Sequence, residues 1–414
     1  MTQHVQDETS YLSQLRLLLE ELCCDLCRFE HVAGDGLRPE DVRIDREYSL
    51  RRPGAFADIR IVPAALPPYA VEIKYGYSTD MLLRHLKRKY GERSPALDGI
   101  QKLILVLDWD RRVDRQALEA DIRACLCPGL ALEIWDEQRL VALLRERFRV
   151  EITEITADNL LDVRQAIDRT KGYYAFGGAS FEEYDHDPLK AEMLWHLGFW
   201  RLQQLRSAGR ASPREILPPG LYRRVVVLLG DLCSFSSYVR DTPDAGIVRE
   251  SLTSFYSRAR YQIINNGGML YQFVGDEVIG FFGVPAQSNG DVAAALQTAR
   301  CLLSIGESVS HHWQRRIDRV QASRGLHIGI ALGDLQLVSL RPFSRTHMGA
   351  IGDCINVAAR LMAAAGPGEI VVSNAFHQGL DEESQAGFAE VEPIEARNVG
   401  RIRAWKMRDP APSP

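Results

Sequence analysis

The second half of the chain alternates strand-like and helix-like stretches in an order that few folds share. The apolar run Arg223–Leu229 predicts a buried strand, and the spacing of apolar residues in Ala245–Asn265 predicts a helix. Two short strands around a turn follow, and then a helix, a strand, a helix and a strand. These stretches are Met269–Phe273, Val278–Phe282, Asp291–His311, Gly325–Leu332, Ile355–Ala365 and Glu369–Val372. The order predicts a ferredoxin-like βαββαβ core with additions, an α/β (α+β) fold, over residues 221–408.

Two carboxylates lie where this pattern turns. Asp231 ends the first predicted strand, and Asp276 lies in the Gly-assisted turn of the hairpin. We expect them to converge at one edge of the sheet, where two carboxylates can bridge a pair of divalent cations such as Mg²⁺ or Mn²⁺. The turn Leu232–Ser236 leads into a helix and offers backbone N–H groups to phosphate oxygens. The pattern indicates phosphoryl chemistry.

A second pair of polar residues lies further along the chain. Asn356 and Arg360 are four residues apart in a predicted helix and therefore share one face of it. An amide suits a ribose, and a guanidinium suits a phosphate. These two side chains are predicted nucleotide contacts.

Residues from about 223 to 373 resemble the class III adenylate/guanylate cyclase catalytic domain. Four signatures carry the resemblance in order. They are Gly-Asp-Leu-x-x-Phe-Ser from Gly230, Gly267-Gly268 before Phe273–Asp276, Gly325–Gly329, and Ile351–Arg360. Each short motif recurs by chance, whereas the ordered set is specific. The resemblance implies an enzyme that converts a nucleoside triphosphate into a 3′,5′-cyclic nucleotide and pyrophosphate.

The resemblance also implies roles for the residues that match. Asp231 and Asp276 would hold two metal ions, Mg²⁺ or Mn²⁺, and Leu232 is included in the predicted metal site. Asn356 and Arg360 would act on the transition state from the other protomer. Head-to-tail pairing then gives a homodimer with two composite active sites.

Two further residues are predicted substrate contacts. Phe235 follows the first metal-site residues, and Arg397 is the candidate for the cationic group that reaches the triphosphate from the C-terminal strand.

The sequence departs from the family where the base is read. Adenylate cyclases of the class usually carry Lys and Asp or Thr at two positions, and guanylate cyclases Glu and Cys, whereas this chain has Gln272 and Gly349. Glutamine donates and accepts hydrogen bonds, so it suits any of the four bases, and some adenylate cyclases use it. Strand alternation predicts that Tyr271 and Phe273 point away from the face of Gln272.

Some bacterial members of the class make cyclic UMP or cyclic CMP as phage-defence signals, and these also lack the purine residues. We therefore favour a pyrimidine substrate, with an adenylate cyclase as the alternative. The cyclic product would be read by a separate cyclic-nucleotide-binding effector.

The first 150 residues predict a separate α/β domain. A helix over Tyr11–Phe29 precedes several strands and helices, and the candidate site residues of this domain lie on the strands. The further predicted elements are the strands Arg43–Leu50, Ala57–Val62, Tyr69–Tyr75 and Lys102–Leu107 and the helices Met81–Tyr90 and Asp136–Phe148. Residues 151–220 are predicted to form a connector with a transducer helix at Lys190–Leu205.

Asp58, Glu72 and Lys74 form a D…E-x-K pattern on two of these strands. Alternation places Glu72 and Lys74 on one face, where two carboxylates and an amine suit a metal-dependent nuclease. Residues 10–148 resemble the restriction-endonuclease-like fold. The alternatives are a salt-bridge cluster on a strand pair, and a domain that binds a ligand or nucleic acid without cutting it.

Composition narrows the remaining possibilities. A formal net charge of −5 gives no general attraction to nucleic acid, so we expect nucleic acid to bind only through the N-terminal domain. No apolar run approaches a membrane span and no secretion signal is recognised, so we expect a cytoplasmic protein without membrane contact. The eight cysteines are expected to be reduced, partly buried thiols.

Two competing functions remain beside the cyclase. The first is a metal-dependent nuclease whose cyclase-fold domain regulates it. The second is a module whose cyclase fold senses a nucleotide without turnover.

Overall fold

The structure, a computed structural model, describes residues 2–52, 54–92, 97, 99–108, 114–148, 150–156, 159–176, 188–210, 213–321, 323–339, 348–396 and 400–408. The chain divides into two compact units, Met1–Lys171 and Gly172–Pro414. The predicted domain boundaries at residues 150 and 220 stay predictions. The Gly177-Gly178 and Glu182–Asp187 parts of the predicted connector lie outside the described residues.

The first unit is a five-stranded mixed sheet with helices. The sheet has the order β1-β2-β3-β4-β5, in which β1, β2 and β3 pair antiparallel, whereas β3, β4 and β5 pair parallel. Its elements are α1 (Thr2–Gly34), β1 (Val42–Arg52), β2 (Ala55–Pro63), β3 (Tyr69–Ile73), α2 (Thr79–Tyr90), β4 (Lys102–Val106), α3 (Arg115–Cys125), β5 (Ala131–Trp135), α4 (Glu137–Phe148) and α5 (Leu160–Phe176). The division between the two units falls within α5.

The core of the first unit follows from its apolar pattern. The side of α1 with Leu15, Leu19, Leu22 and Leu26 is buried, as helical spacing predicts. All five residues of β3 are buried, because β3 is the central strand of the sheet, between β2 and β4. Helices α3 and α5 and strand β5 were not predicted, because exposed residues interrupt their apolar runs. Asp114 begins α3 by accepting hydrogen bonds from two backbone N–H groups of its first turn.

The second unit is built around an eight-stranded sheet. Its elements are α6 (Pro188–Ser207), α7 (Pro213–Ile216), β6 (Gly220–Leu232), α8 (Phe235–Asp241), α9 (Ala245–Asn265), β7 (Met269–Val274), β8 (Glu277–Phe282), α10 (Asp291–Ile317), β9 (Leu326–Ser339), β10 (Met348–Ile351), α11 (Asp353–Ala364), β11 (Ile370–Ser373), α12 (Asn374–Gln378), α13 (Glu382–Ala386), β12 (Phe388–Ala396) and β13 (Gly400–Met407). The strand order is β12-β13-β11-β9-β6-β8-β7, and β10 pairs with β9.

The strands β9, β6, β8 and β7 are antiparallel neighbours, and α9 and α10 connect them. This confirms the predicted βαββαβ order. The hairpin of β12 and β13 was not predicted, because its exposed strands alternate charged and apolar residues without a long apolar run. It lengthens the sheet beyond β11.

Helix α6 is broken at Gly198, which has a left-handed φ of 71°. In the turn before the break, the carbonyl oxygens of Leu194 and Trp195 each accept a hydrogen bond of 2.9 Å from Arg260 of α9. The Arg260 guanidinium also lies 4.5 Å from the centre of the Trp195 ring. These contacts of Arg260 join α6 to α9 beside the break, which lies inside the predicted transducer helix.

Two further properties concern the chain as described. None of its described helices is both long and apolar enough to cross a membrane. All eight cysteines are thiols that form no disulfide bond, and seven of them are buried.

Gly198→Ala should destabilise the second unit by about 2–3 kcal/mol, because a Cβ there combines left-handed strain with a contact of 2.7 Å to Ile264. Gly209→Ala is the matched control, since Gly209 has a φ of 89° but nothing within 4 Å of its Cβ position. Chemical denaturation measures both. Equal losses of stability in the two variants would show that the contact with Ile264 is relaxed without cost.

Candidate functional site

Strand pairing places Asp231 at the centre of a polar group of side chains. Near the end of β6, Asp231 lies opposite Glu277 of β8 on one side and opposite His327 of β9 on the other. The His327 Nε2 atom is 3.4 Å from Asp231 Oδ2, and its Nδ1 atom is 3.2 Å from the carbonyl oxygen of Ala365. His327 was not among the predicted site residues, although its pairing with Asp231 across β6 and β9 points to it.

Asp231 and Asp276 are brought together. The carboxyl group of Asp276 lies next to that of Asp231, and burial, followed by the Asp231 charge, raises the pKa of Asp276 to about 7. The pKa of Glu277 is raised by the same two causes. Like charges held this close favour binding of a proton or a cation. The predicted convergence of the two carboxylates is therefore present in one chain.

Tyr256 of α9 holds the turn that carries Asp276. Its hydroxyl donates to the carbonyl oxygen of Gly275, and its ring stacks on Phe273 with centroids 4.1 Å apart. Gly275 has a φ of 65°, which the tight turn requires. No pattern in the sequence pointed to Tyr256, because the contact joins a helix to a distant turn.

The segment after β6 offers fewer backbone donors than expected. The Leu232 side chain is buried. The N–H of Cys233 donates to the carbonyl oxygen of Gly325 at 3.0 Å and is not available to a phosphate. Phe235 is half-buried, with its ring edge-on to Trp313.

Asn356 and Arg360 are exposed on one side of α11, whereas Ala358 between them is buried. The helix lies very close to β9, because a Cβ on Gly329 would be 2.2 Å from the carbonyl oxygen of Ala358. Among the contacts of the described residues, none joins Asn356 or Arg360 to the two aspartates.

The proposed base-reading positions lie near an irregular part of the sheet. The pairing of β7 with β8 shifts between Leu270 and Gln272, so Tyr271 is the extra residue of a β-bulge. The alternation expected for Tyr271 is therefore interrupted. Its hydroxyl accepts a hydrogen bond of 3.2 Å from the N–H of Ala350, beside buried Gly349. Gln272 itself is exposed.

Arg397, the predicted triphosphate contact, lies outside the described residues. Within the described ranges, no group of three or more His, Cys, Asp or Glu side chains is placed to hold a metal ion.

The first unit brings Asp58, Glu72 and Lys74 together, and adds Lys89 and Tyr90 of α2. We call these five residues the Glu72 cluster. Lys74 Nζ lies 2.9 Å from Asp58 Oδ2 and is ion-paired with Glu72. Burial would raise the pKa of Asp58, but the charges of the two lysines and a hydrogen bond from Ile73 hold it well below its usual range. Lys89 and Tyr90 were missed, because they pack inward from a helix whose other basic residues are exposed.

Asp276→Asn should stabilise the metal-free protein at pH 8 by about 1–2 °C, a small effect because both carboxylates are partly exposed. The folded state holds a proton on Asp276 up to about pH 7, whereas an unfolded aspartate loses it near pH 4. Stability therefore falls as the pH rises from about 4 to 7, and the variant lacks this fall.

Thermal melts in EDTA at pH 4.5 and pH 8 measure this difference. Asp318→Asn is the control, because it removes an exposed charge at a left-handed position that asparagine accepts. Identical melting temperatures for native protein and Asp276→Asn at pH 8 would contradict the prediction.

Comparison with known proteins identifies the region around the aspartates. Residues 218–408 match the family described as "Adenylate and Guanylate cyclase catalytic domain". An uncharacterized protein of Mycobacterium tuberculosis (strain ATCC 25618 / H37Rv) is 26% identical over 180 residues, which are 43% of this chain and 30% of that protein. The chain thus spans about 30% of the length of this curated relative.

Solved cyclase structures align with a similar share of the chain. The adenylyl cyclase CyaB from P. aeruginosa aligns with 47% of this chain and 97% of its own, at 20% identity and a TM-score of 0.39. The guanylate cyclase domain of RhGC from Catenaria anguillulae, in complex with GTP, aligns with 45% of this chain and 97% of its own, at 17% identity and a TM-score of 0.37. The match to the family model carries the conclusion: residues 218–408 form an enzyme domain of the class III adenylate and guanylate cyclase family.

Proposed function

We propose that this protein converts a nucleoside triphosphate into a 3′,5′-cyclic nucleotide and pyrophosphate. The observation that supports the proposal most directly is the contact between Asp231 and Asp276 at the end of β6, inside the region that matches the family. Ring closure requires the ribose 3′-hydroxyl to lose a proton and the pyrophosphate to leave with its negative charge. A site that holds cations beside these groups favours both events.

The residues present fit a pair of divalent cations, Mg²⁺ or Mn²⁺. Two carboxylates in mutual contact are hard oxygen donors whose repulsion a cation relieves. Asp231 and Asp276 would hold the metal, with the backbone of Leu232 beside them. When bound, the metal supplies charge neutralisation on the triphosphate and acidifies the attacking hydroxyl. Tyr256 and His327 keep the two carboxylates oriented through the contacts described above.

The active site is proposed to be composite, in a homodimer. Asn356 and Arg360 are exposed on α11 and make no contact with the aspartates of their own chain among the described contacts, which leaves them free to serve a partner. The amide would orient the ribose, and the guanidinium would stabilise charge on the transferring phosphate. Phe235 and Arg397 are proposed as further substrate contacts.

The substrate is proposed to be a pyrimidine nucleotide, with an adenylate cyclase as the alternative. Exposed Gln272 offers a donor and an acceptor to a base, and Gly349 contributes no side chain. The hydroxyl of Tyr271 accepts a hydrogen bond from the N–H of Ala350, the neighbour of Gly349, and so connects the two positions. Cyclic UMP or cyclic CMP would serve as an antiviral defence signal for a separate effector.

The first unit is proposed to share the restriction-endonuclease-like arrangement. Two features support this proposal. The antiparallel strands β1, β2 and β3 are continued by the parallel strands β4 and β5, and Asp58 and Glu72 lie on the neighbouring strands β2 and β3. A nuclease activity remains the alternative function for this unit.

Mixing two inactive variants tests the composite site. Asp231→Ala and Arg360→Ala should each lower kcat at least ~100-fold. Random pairing of equal amounts should restore about a quarter of native activity, because half of the dimers are mixed and each of these keeps one intact site. The measurement is cyclic nucleotide formed per minute after co-refolding or co-expression.

The matched control is a mixture of Asp231→Ala and Asp276→Ala chains. Both changes damage the metal side, so every site in the mixed dimer carries one of them and activity should stay low. Recovery in this control, or none with Arg360→Ala, would rule out a site shared between chains.

Incubation with Mn²⁺ and each of ATP, GTP, CTP and UTP in turn, with products identified by mass spectrometry, tests the base. We expect cyclic UMP or cyclic CMP as the main product, because Gln272 and Gly349 replace the purine-reading pair. Cyclic AMP alone would establish the adenylate alternative. No cyclic product from any of the four would contradict the proposed activity.

A further inference from the structure

Glu72 of the first unit has no free hydrogen-bonding capacity. Its Oε1 atom accepts from Lys89 Nζ at 3.0 Å and from the Tyr90 hydroxyl at 2.6 Å. Its Oε2 atom accepts from Lys89 Nζ at 2.8 Å and is ion-paired with Lys74. A carboxylate has about four lone-pair positions, and all four are used here. The side chain is also completely buried.

Asp58 is only partly free. Its Oδ2 atom accepts from the N–H of Ile73 at 2.7 Å and from Lys74 Nζ at 2.9 Å. Its Oδ1 atom lies 3.7 Å from Lys89 Nζ, and the side chain is 18% exposed. One oxygen of one carboxylate is therefore what the Glu72 cluster offers to an incoming ion.

The charges of the cluster cancel. Two carboxylates face two ammonium groups, and Lys74 and Lys89 are nearly as buried as Glu72. A divalent cation that entered would bring two positive charges into a site that has no net negative charge to receive them, and burial makes this costly. As it stands, the cluster does not fit a catalytic metal.

Lys89 is the residue that determines whether the Glu72 cluster can accept a cation. It is the one side chain in the Glu72 cluster that contacts both oxygens of Glu72 and also Asp58, and it comes from α2, outside the strands that carry the D…E-x-K pattern. Lys74 would remain after its removal, so the cluster would keep one ammonium group against two carboxylates.

We propose that Lys89 closes a latent divalent-cation site formed by Asp58 and Glu72, so that the first unit binds no metal there until Lys89 withdraws. The inference does not depend on the cyclase activity proposed above. It implies that this unit, in the state described, does not cut nucleic acid by metal-assisted hydrolysis.

The test counts Mn²⁺ bound per chain, from the free-ion signal in electron paramagnetic resonance. The full chain is used with Asp231→Asn and Asp276→Asn, which remove the carboxylates of the cyclase site. In this parent, adding Asp58→Asn should leave the count unchanged. Adding Lys89→Met instead should add about one Mn²⁺ per chain, because one opposing charge is gone.

Two controls assign the gain to the cluster. Lys87→Met removes an exposed charge from the same helix and should add no ion. Lys89→Met combined with Asp58→Asn should lose the added ion. Circular dichroism verifies folding, and Lys89→Gln replaces Lys89→Met if the latter does not fold.

A parent whose Mn²⁺ count falls on Asp58→Asn would overturn the proposal, because the site would already be open. A folded Lys89→Met or Lys89→Gln protein that gains no ion would overturn it as well. Nicking of supercoiled DNA by the native protein in Mn²⁺, abolished by Asp58→Asn, would establish a working nuclease instead.

Discussion

The antiparallel pairing of β6 on both of its edges is the constraint on which the cyclase unit depends. Residues Val225–Leu229 of this strand are fully or almost fully buried, so its register is fixed by the core. That register sets Asp231 between Glu277 and His327. A slip by one residue would turn the carboxylate into the wrong face of the sheet and separate it from Asp276. The geometry of the site is thus a consequence of apolar burial several residues away.

The two units treat paired carboxylates in opposite ways. In the second unit, Asp231 and Asp276 lie together in a partly exposed position, where burial and then the Asp231 charge raise the pKa of Asp276. In the first unit, Glu72 is buried but surrounded by donors, and two lysines balance its charge and that of Asp58. Two carboxylates that repel each other can be stabilised by a bound cation. A buried carboxylate, by contrast, needs hydrogen-bond donors or opposite charges within the protein itself.

The sequence predicted much of this structure, and the failures have physical causes. Long apolar runs and helical spacing gave most strands and helices of the second unit, and Asp231 and Asp276 were expected to converge. Contacts between residues far apart in the chain were not accessible in this way: Tyr256 reaches Gly275 from a helix, and Lys89 reaches Glu72 from another. Alternation was also insufficient at Tyr271, because a bulge changes the strand period locally. Patterns along a chain report secondary structure, whereas such contacts depend on how the elements pack.

The hydrogen bond from Ala350 to Tyr271 ties β10 to β7, and so links the neighbours of Gly349 and Gln272. Residues joined through a shared contact do not respond independently to substitution, and their energetic effects are not additive. If these two positions read the base, a change at one alters the backbone that presents the other. Base preference in this protein would then evolve through correlated pairs of substitutions. A single substitution that introduces the residue of a purine cyclase at one position would lower activity, and a change of substrate would require the second position as well.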